Sequence, residues 1–258
     1  MNLRRPPERV LSIGHRGAAS LAPENTLAAF RTAVTHGVDL VEFDVVDLPR
    51  GPLIVAHSLE LAELTHEAES GSAAALTLDE LRHLVPELPT FDEALHFFAT
   101  EARDVGLHLD LKLDTRLGEL VEAIVRHGLE DRVLVTTPVG ADLRSVGSAC
   151  PRLSLGLTYP ADRPAISRRG YLAPVIRLVV RLMRLSLPFR IVRLAHAAGA
   201  DTVTLQHRVV GPRAVARAHA AGLAVFAWTV DDPKELARVV AAGVDGVVSN
   251  DPRLLQHP

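Results

Sequence analysis

Eight short β-branched or leucine-rich runs alternate with helical patterns over 258 residues, which predicts a parallel (β/α)8 barrel of ordinary size. A third observation removes the nearest competitor. No Gly-x-Gly-x-x-Gly follows the first strand, as a doubly wound dinucleotide-binding sheet would have. Hydrophobic residues at 48% and charged residues at 23% exclude disordered, collagenous and coiled-coil chains. No apolar run approaches the roughly 18 residues of a membrane-spanning helix.

The strands fall in order at Val10–Gly14, Leu40–Val46, Leu107–Lys112, Arg132–Thr136, Leu153–Thr158, Thr202–Gln206, Ala224–Val230 and Val244–Ser249. Helices are expected at Asn25–His36, Thr77–Val85, Phe91–Val105, Leu117–His127, Pro212–Ala221 and Pro233–Ala242. Asn25 is placed as the N-cap of the first helix and Gly37 as its stop. Pro233, preceded by two aspartates, suits the first turn of the last helix, and Gly243 its end. One more strand, Leu53–His57, stands too close to Leu40–Val46 for a helical crossover. The two should form an antiparallel hairpin turning through Leu48–Gly51. A turn centred between Pro49 and Arg50 would set Glu42 opposite His57 and Asp44 opposite Val55. With no repeat, low-complexity tract or linker, residues 1–258 read as a single domain.

The charge count, 28 Lys+Arg against 31 Asp+Glu for a net −3, hides an asymmetry. Arg163 through Ala200 holds eight arginines and no acid, so this window carries +8 and the remainder −11. Such a block suits a polyanion or a membrane, yet the chain as a whole is not basic, and nucleic acid is not its expected partner. Within Tyr171–Leu187, Arg177, Arg181 and Arg184 follow helical spacing among apolar residues. An amphipathic helical insertion is therefore expected after the fifth strand. It is either an outer barrel helix with an arginine-lined edge, or a lid or peripheral membrane contact through 171–193. Met1–Val10 lacks the apolar core of a secretory signal, and Cys150 is the sole cysteine, so a cytoplasmic protein, with membrane association left open, is expected.

Function in such a barrel is expected at the C-terminal ends of the strands. Those ends read His15-Arg16-Gly17, Glu42-Phe43-Asp44, His57 and Asp110-Leu111-Lys112. A period of two puts Glu42 and Asp44 on one face of their strand, and likewise Asp110 and Lys112 on one face of theirs. Acids inside an apolar strand are costly unless they are paired or bind a cation. Three carboxylates without a nearby thiol describe a site for one hard divalent cation, Mg²⁺ or Ca²⁺ rather than zinc. Arg16 and Lys112 suit phosphate oxygens. Two histidines supply an acid/base pair near neutral pH. Together these are the parts of a phosphodiester-cleaving site.

The blocks Gly14-His15-Arg16-Gly17, Pro23-Glu24-Asn25-Thr26 and Gly37 through Asp44 resemble the signature of the glycerophosphodiester phosphodiesterase family. His57, Asp110-Leu111-Lys112, Ala227-Trp228-Thr229-Val230 and Gly243 through Asn250 are similar to its later blocks, in the same order. The resemblance implies a phosphatidylinositol-phospholipase-C-like TIM barrel that hydrolyses glycerophosphodiesters to glycerol 3-phosphate and an alcohol. It implies His15 and His57 as general acid and base, Glu42, Asp44 and Asp110 as metal ligands, and Arg16 and Lys112 as phosphate contacts. Glu24 and Trp228 match family residues that orient neighbours and line the pocket. The chain departs from the pattern at Asp110, where Glu is usual, and at Ser58 and Arg50, where the family has acids near His57. Asp at that first position is found in relatives acting on lysophospholipids. Lysophospholipase D-type cleavage is thus the alternative reaction, and a non-catalytic phospholipid-surface protein is the alternative from another class. His207 and Arg208, after the sixth strand, are placed either at the site or on the surface.

Overall fold

The computed structural model describes residues 1–5, 9–113, 115–161 and 173–256, excepting the side chains of 173–175 and 177. Eight parallel strands close into a barrel: β1 (Leu11–Gly14), β2 (Leu40–Asp47), β4 (Gly106–Leu111), β5 (Val133–Thr137), β6 (Ser154–Tyr159), β7 (Thr202–Gln206), β8 (Ala224–Trp228) and β9 (Gly246–Ser249). Closure is direct, because β1 pairs with both β2 and β9. The short strand β3 (Leu53–Val55) lies antiparallel on β2 as the expected hairpin. Its register differs from expectation by one residue. Val45 faces Val55, which sets Asp44 opposite Ala56 and leaves His57 past the end of the ladder.

Helices α1 (Leu27–Thr35), α4 (Phe91–Thr100), α5 (Leu117–Arg126), α6 (Gly140–Ala149), α7 (Ala173–Ala198), α8 (Pro212–Ala220) and α9 (Pro233–Ala241) surround the barrel. Two shorter ones, α2 (Leu61–Leu64) and α3 (Leu78–Leu84), belong to the excursion that follows β3. That excursion packs a small apolar cluster, Leu48, Ile54, Ala73, Leu81 and Leu88, against one edge of the barrel. Three local readings change. Thr26, not Asn25, caps α1, its hydroxyl accepting from the Ala29 N–H. The helix from Phe91 stops at Thr100, where Arg132 hydrogen-bonds the carbonyls of Phe98, Ala102 and Val105. Helix α6 was not anticipated; with two glycines and two serines in ten residues, its apolar stripe reduces to Leu143 and Val146.

Strand alternation builds two cores. On β2, Val41, Phe43 and Val45 face outward into the helical layer. Phe43 lies 5.0 Å from Phe30 of α1 and stacks on Phe98 of α4 at 5.8 Å, ring centre to ring centre. The lumen is apolar at its base, where Leu11, Ile13, Leu40, Leu134, Phe226 and Val248 meet Leu3 of the N-terminal segment. Moving up β2, the lumen-facing residues after Leu40 are Glu42 and Asp44; up β4 they are His108 and Asp110. The barrel thus grades from a greasy floor to a charged mouth. Removing the Phe43 ring should cost about 3–5 kcal/mol, the usual range for a fully buried Phe→Ala change. Urea unfolding of Phe43→Ala measures it, and a loss below about 1 kcal/mol would contradict this assignment of the outer core.

Candidate active site

His15, Arg16 and Gly17 follow β1 at the mouth of the barrel. Gly17 sits at φ +87°, and a Cβ there would come within 2.7 Å of the Ala29 backbone, so glycine alone permits this close turn over α1. The turn aims the Arg16 N–H at Glu42 Oε2, 2.8 Å away. The Arg16 side chain reaches Glu24 with Nη1 at 2.7 Å. Its Nε lies 3.1 Å from Asp44 Oδ2 but is misaligned with it, and is left buried without a hydrogen-bond acceptor.

Asp44 and Asp110 are direct register partners on β2 and β4. One oxygen from each of Glu42, Asp44 and Asp110 falls within 4.8 Å of the others, close enough for a single ion. Burial, reinforced by the charges of Asp44 and Asp110, pushes the Glu42 carboxyl well above the usual carboxylate range. Burial also pushes Asp110 up, against the pull of Lys112. Asp44 feels the same burial, but Arg16 and Lys112 outweigh it and hold its carboxyl below the usual range. Lys112 Nζ donates to Asp110 Oδ2 at 2.7 Å and stands 3.5 Å from Asp44 Oδ1. Burial works against its charge, but Asp110 and Asp44 prevail and raise it. Crowded, buried, all-oxygen donors that resist simultaneous ionisation are what a hard divalent cation relieves.

The predicted histidines both line the same cavity of about 170 Å³ with these acids, and Trp228 forms an aromatic wall, its indole N–H donating to Thr204 O at 3.2 Å. His15 Nδ1 pairs with Asn250 Oδ1 at 2.6 Å. Asn250 is itself held by Asp231, which accepts from its Nδ2 at 2.6 Å and its backbone N–H at 2.8 Å. Because Asn250 Oδ1 only accepts, Nδ1 carries the proton and Nε2 is bare. Burial, then the neighbouring Arg16 charge, lowers His15 below the ordinary histidine value. His57 Nδ1 lies 3.1 Å from Glu63 Oε2, and the Ser58 hydroxyl donates to the same oxygen at 2.7 Å. The serine that departs from the family pattern thus orients the acid that supports His57.

The structure brings together His15, Arg16, Glu42, Asp44, His57, Asp110, Lys112 and Trp228. Glu24 stands just outside this cavity, bound to Arg16. His207 is occupied by the Thr229 carbonyl at 2.8 Å and Arg208 is exposed; neither lines the cavity. Four supporting groups were given no role at the site by sequence reasoning: Asn25, Asn250 with Asp231, Glu63, and His108 with Thr136. Asn25, at φ +59°, donates Nδ2–H to Asp44 Oδ2 at 3.0 Å and accepts the Asp44 N–H at 3.3 Å. Its signal was its place in Pro-Glu-Asn-Thr, read there as a cap. His108 lies beneath the acids, 3.0 Å from Thr136 Oγ1, and burial holds its pKa down to about 3.

The residue pattern of the glycerophosphoryl diester phosphodiesterase family matches residues 15–254. The chain belongs to that family. It is, accordingly, a phosphoric diester hydrolase. A glycerophosphodiester phosphodiesterase of Caldanaerobacter subterraneus is 28% identical over 264 aligned positions, covering 96% of each chain. A Silicibacter pomeroyi crystal structure assigned to the same family is 27% identical, with a TM-score of 0.78, covering 98% of this chain and 94% of that one. An Oleispira antarctica phosphodiesterase, solved with the product sn-glycerol-3-phosphate, shares the fold at 23% identity and a TM-score of 0.70, covering 95% and 94%.

The raised Glu42 carboxyl makes a checkable statement about the metal-free protein. A folded-state pKa above the unfolded one favours folding at low pH and opposes it once pH passes the unfolded value. Glu42→Gln imitates the protonated side chain and keeps an oxygen for the Arg16 N–H. At pH 7 with chelator, its Tm should equal or exceed that of the wild type by about 2–4 °C. With a millimolar divalent cation the order should reverse, since a ligand carboxylate at position 42 would give the wild type the larger gain from binding. Equal metal-induced shifts in both proteins would exclude Glu42 as a ligand.

Proposed function

We propose that this protein, acting as a single domain, hydrolyses glycerophosphodiesters to glycerol 3-phosphate and an alcohol. The observation that carries the proposal is a pair of histidines on one cavity, each with Nδ1 engaged by a built partner, across three clustered carboxylates. Glu42, Asp44 and Asp110 would hold one Mg²⁺ or Ca²⁺, which when bound supplies positive charge for the phosphoryl oxygens.

The chain's own residues account for the remaining requirements. Arg16 Nε, buried and lacking an acceptor, is a donor suited to a phosphoryl oxygen. Lys112, just past the end of β4, adds a second positive charge and stays protonated at any working pH. His15, kept neutral by burial, has a bare Nε2 with which to accept the proton of the attacking oxygen. His57, its Nδ1 face held by Glu63, presents Nε2 to return a proton to the leaving oxygen. Asp231 and Asn250 fix the His15 tautomer, the role a carboxylate plays behind many catalytic imidazoles.

A lysophospholipid is the second reading of the substrate, favoured by the apolar outer surface of α7, on the connection that leaves the same end of the barrel. A panel of glycerophosphocholine, glycerophosphoinositol and lysophosphatidylcholine, with metal or chelator, separates the two. Turnover should be metal-dependent and should fall about 10²–10⁴-fold in His15→Ala, the usual contribution of a positioned base. Metal-dependent turnover of none of the three would move the reading to a phospholipid-surface binding protein. The Asn250 hydrogen bond raises the His15 pKa, so its removal should lower it. The rate rises with pH as the base deprotonates. In Asn250→Ala the acidic limb of kcat/KM should therefore move to lower pH, while the maximum falls as the ring loses its tether. A limb moving to higher pH would contradict His15 as the base.

A further inference from the structure

Helix α7 runs 26 residues, against nine in each of α8 and α9, which make the equivalent crossovers. It leads from β6, which ends at the catalytic mouth, down to β7, which begins at the opposite face. The extra length, about 25 Å at 1.5 Å per residue, lies toward the mouth. Burial follows that division. Leu187, Ile191, Ala195 and Ala198 in the last three turns are buried on the barrel. Among the described side chains from Ile176 to Ser186, none is buried.

The outward face of this helix is not polar. Leu178, Leu182, Leu185 and Phe189 are 57%, 56%, 63% and 81% exposed, and Val179 is 46% exposed. At 100° per residue the first four fall within about 60° of one another, opposite Leu187 and Ile191. Arg181 and Arg193 flank that stripe, one on each side at about 60°, and both are exposed. Arg184 and Arg190 are exposed further round. The helix is therefore apolar on two faces. One face is spent on the barrel, and the other is offered outward between arginines.

We infer that the 178–193 face of α7 docks on an anionic lipid surface, with Leu182, Leu185 and Phe189 entering the headgroup–acyl boundary and Arg181 and Arg193 meeting lipid phosphates. The charge decides the occupant. Between Arg163 and Ala200 there are eight arginines and no acid, so a second copy placed symmetrically would set like charges against each other. An apolar stripe of this width flanked by arginine has the composition of an interfacial helix, which lies in the membrane plane and does not cross it. In keeping with that, no helix among the described residues is long and apolar enough to span a bilayer. The inference goes beyond the proposed hydrolysis and does not depend on which diester is cleaved. Docking at this rim would bring the mouth of the barrel to the headgroup layer.

Vesicle co-sedimentation of the full chain tests it, using phosphatidylglycerol-rich and pure phosphatidylcholine vesicles at low and high salt. Wild type should bind the anionic vesicles at least about 10-fold more tightly and lose affinity with salt. Arg181→Gln/Arg193→Gln should weaken binding by about 30-fold, each basic residue near such a surface contributing about 5-fold. Leu182→Ser/Leu185→Ser/Phe189→Ser should abolish it with every arginine intact. Both variants should keep wild-type turnover of a water-soluble glycerophosphodiester and wild-type Tm, since these side chains lie outside the cavity and the core. Equal recovery of wild type and variants, or no preference for anionic vesicles, would overturn the inference. So would a concentration-dependent dimer in sedimentation velocity that the serine variant dissolves, since a second copy would then cover this face. Retained binding without turnover would count against the hydrolytic reading and leave this one standing.

Discussion

Two carboxylates on one buried strand set most of what this structure must do. Glu42 and Asp44 point into the barrel because a strand alternates, and the Val41, Phe43 and Val45 set is committed to the outer core. Left alone, two acids in that position would oppose folding. The chain answers with positive charge from two directions, Arg16 from the β1 turn and Lys112 from the end of β4. It also supplies donors, the Arg16 N–H to Glu42 and the Asn25 amide to Asp44. Asp110 joins from β4 in register with Asp44, so the compensation remains incomplete and room for a cation is built in.

The histidines depend on the same arrangement but are held from further away. His15 is part of the turn that delivers Arg16, yet its tautomer is set by Asn250 and Asp231 at the other end of the chain. His57 stands just beyond the hairpin ladder, so the pleat does not dictate its direction; Glu63 in the following helix does. A one-residue change of register normally turns a side chain to the wrong face. Here it is harmless, because His57 lies outside the paired segment. Hairpin, excursion and β9 thus act as three separate supports converging on one mouth.

Helix α7 departs from the rest of the outer layer. The other barrel helices are amphipathic once, with apolar residues inward and charge outward, as α5 and α9 are. In α7 the apolar positions cover both faces, and the arginines are left to separate them. That pattern is wasteful for a plain crossover, whose outward face needs only solubility.

The barrel was legible from residue spacing because period-two and period-3.6 patterns are local, and elements from β1 to β9 lie close to where those patterns put them. Seven of the eight predicted cavity residues were legible because each stands within or just beyond a strand and its type declares its chemistry; Trp228 was legible through the family resemblance. By itself the sequence determined the strand order, the acid cluster and the cations around it. Tertiary structure decided which ring nitrogens are bare, which acid supports His57, and that Asn25 serves Asp44 rather than α1. It also decided that the outward face of α7 is apolar. Each of these rests on a contact between residues that no periodicity links, or on which side of a helix meets the barrel. Only closure of the sheet brings Asn250 back beside His15, and residue spacing, which predicts the closed barrel, does not say which side chains meet across its seam.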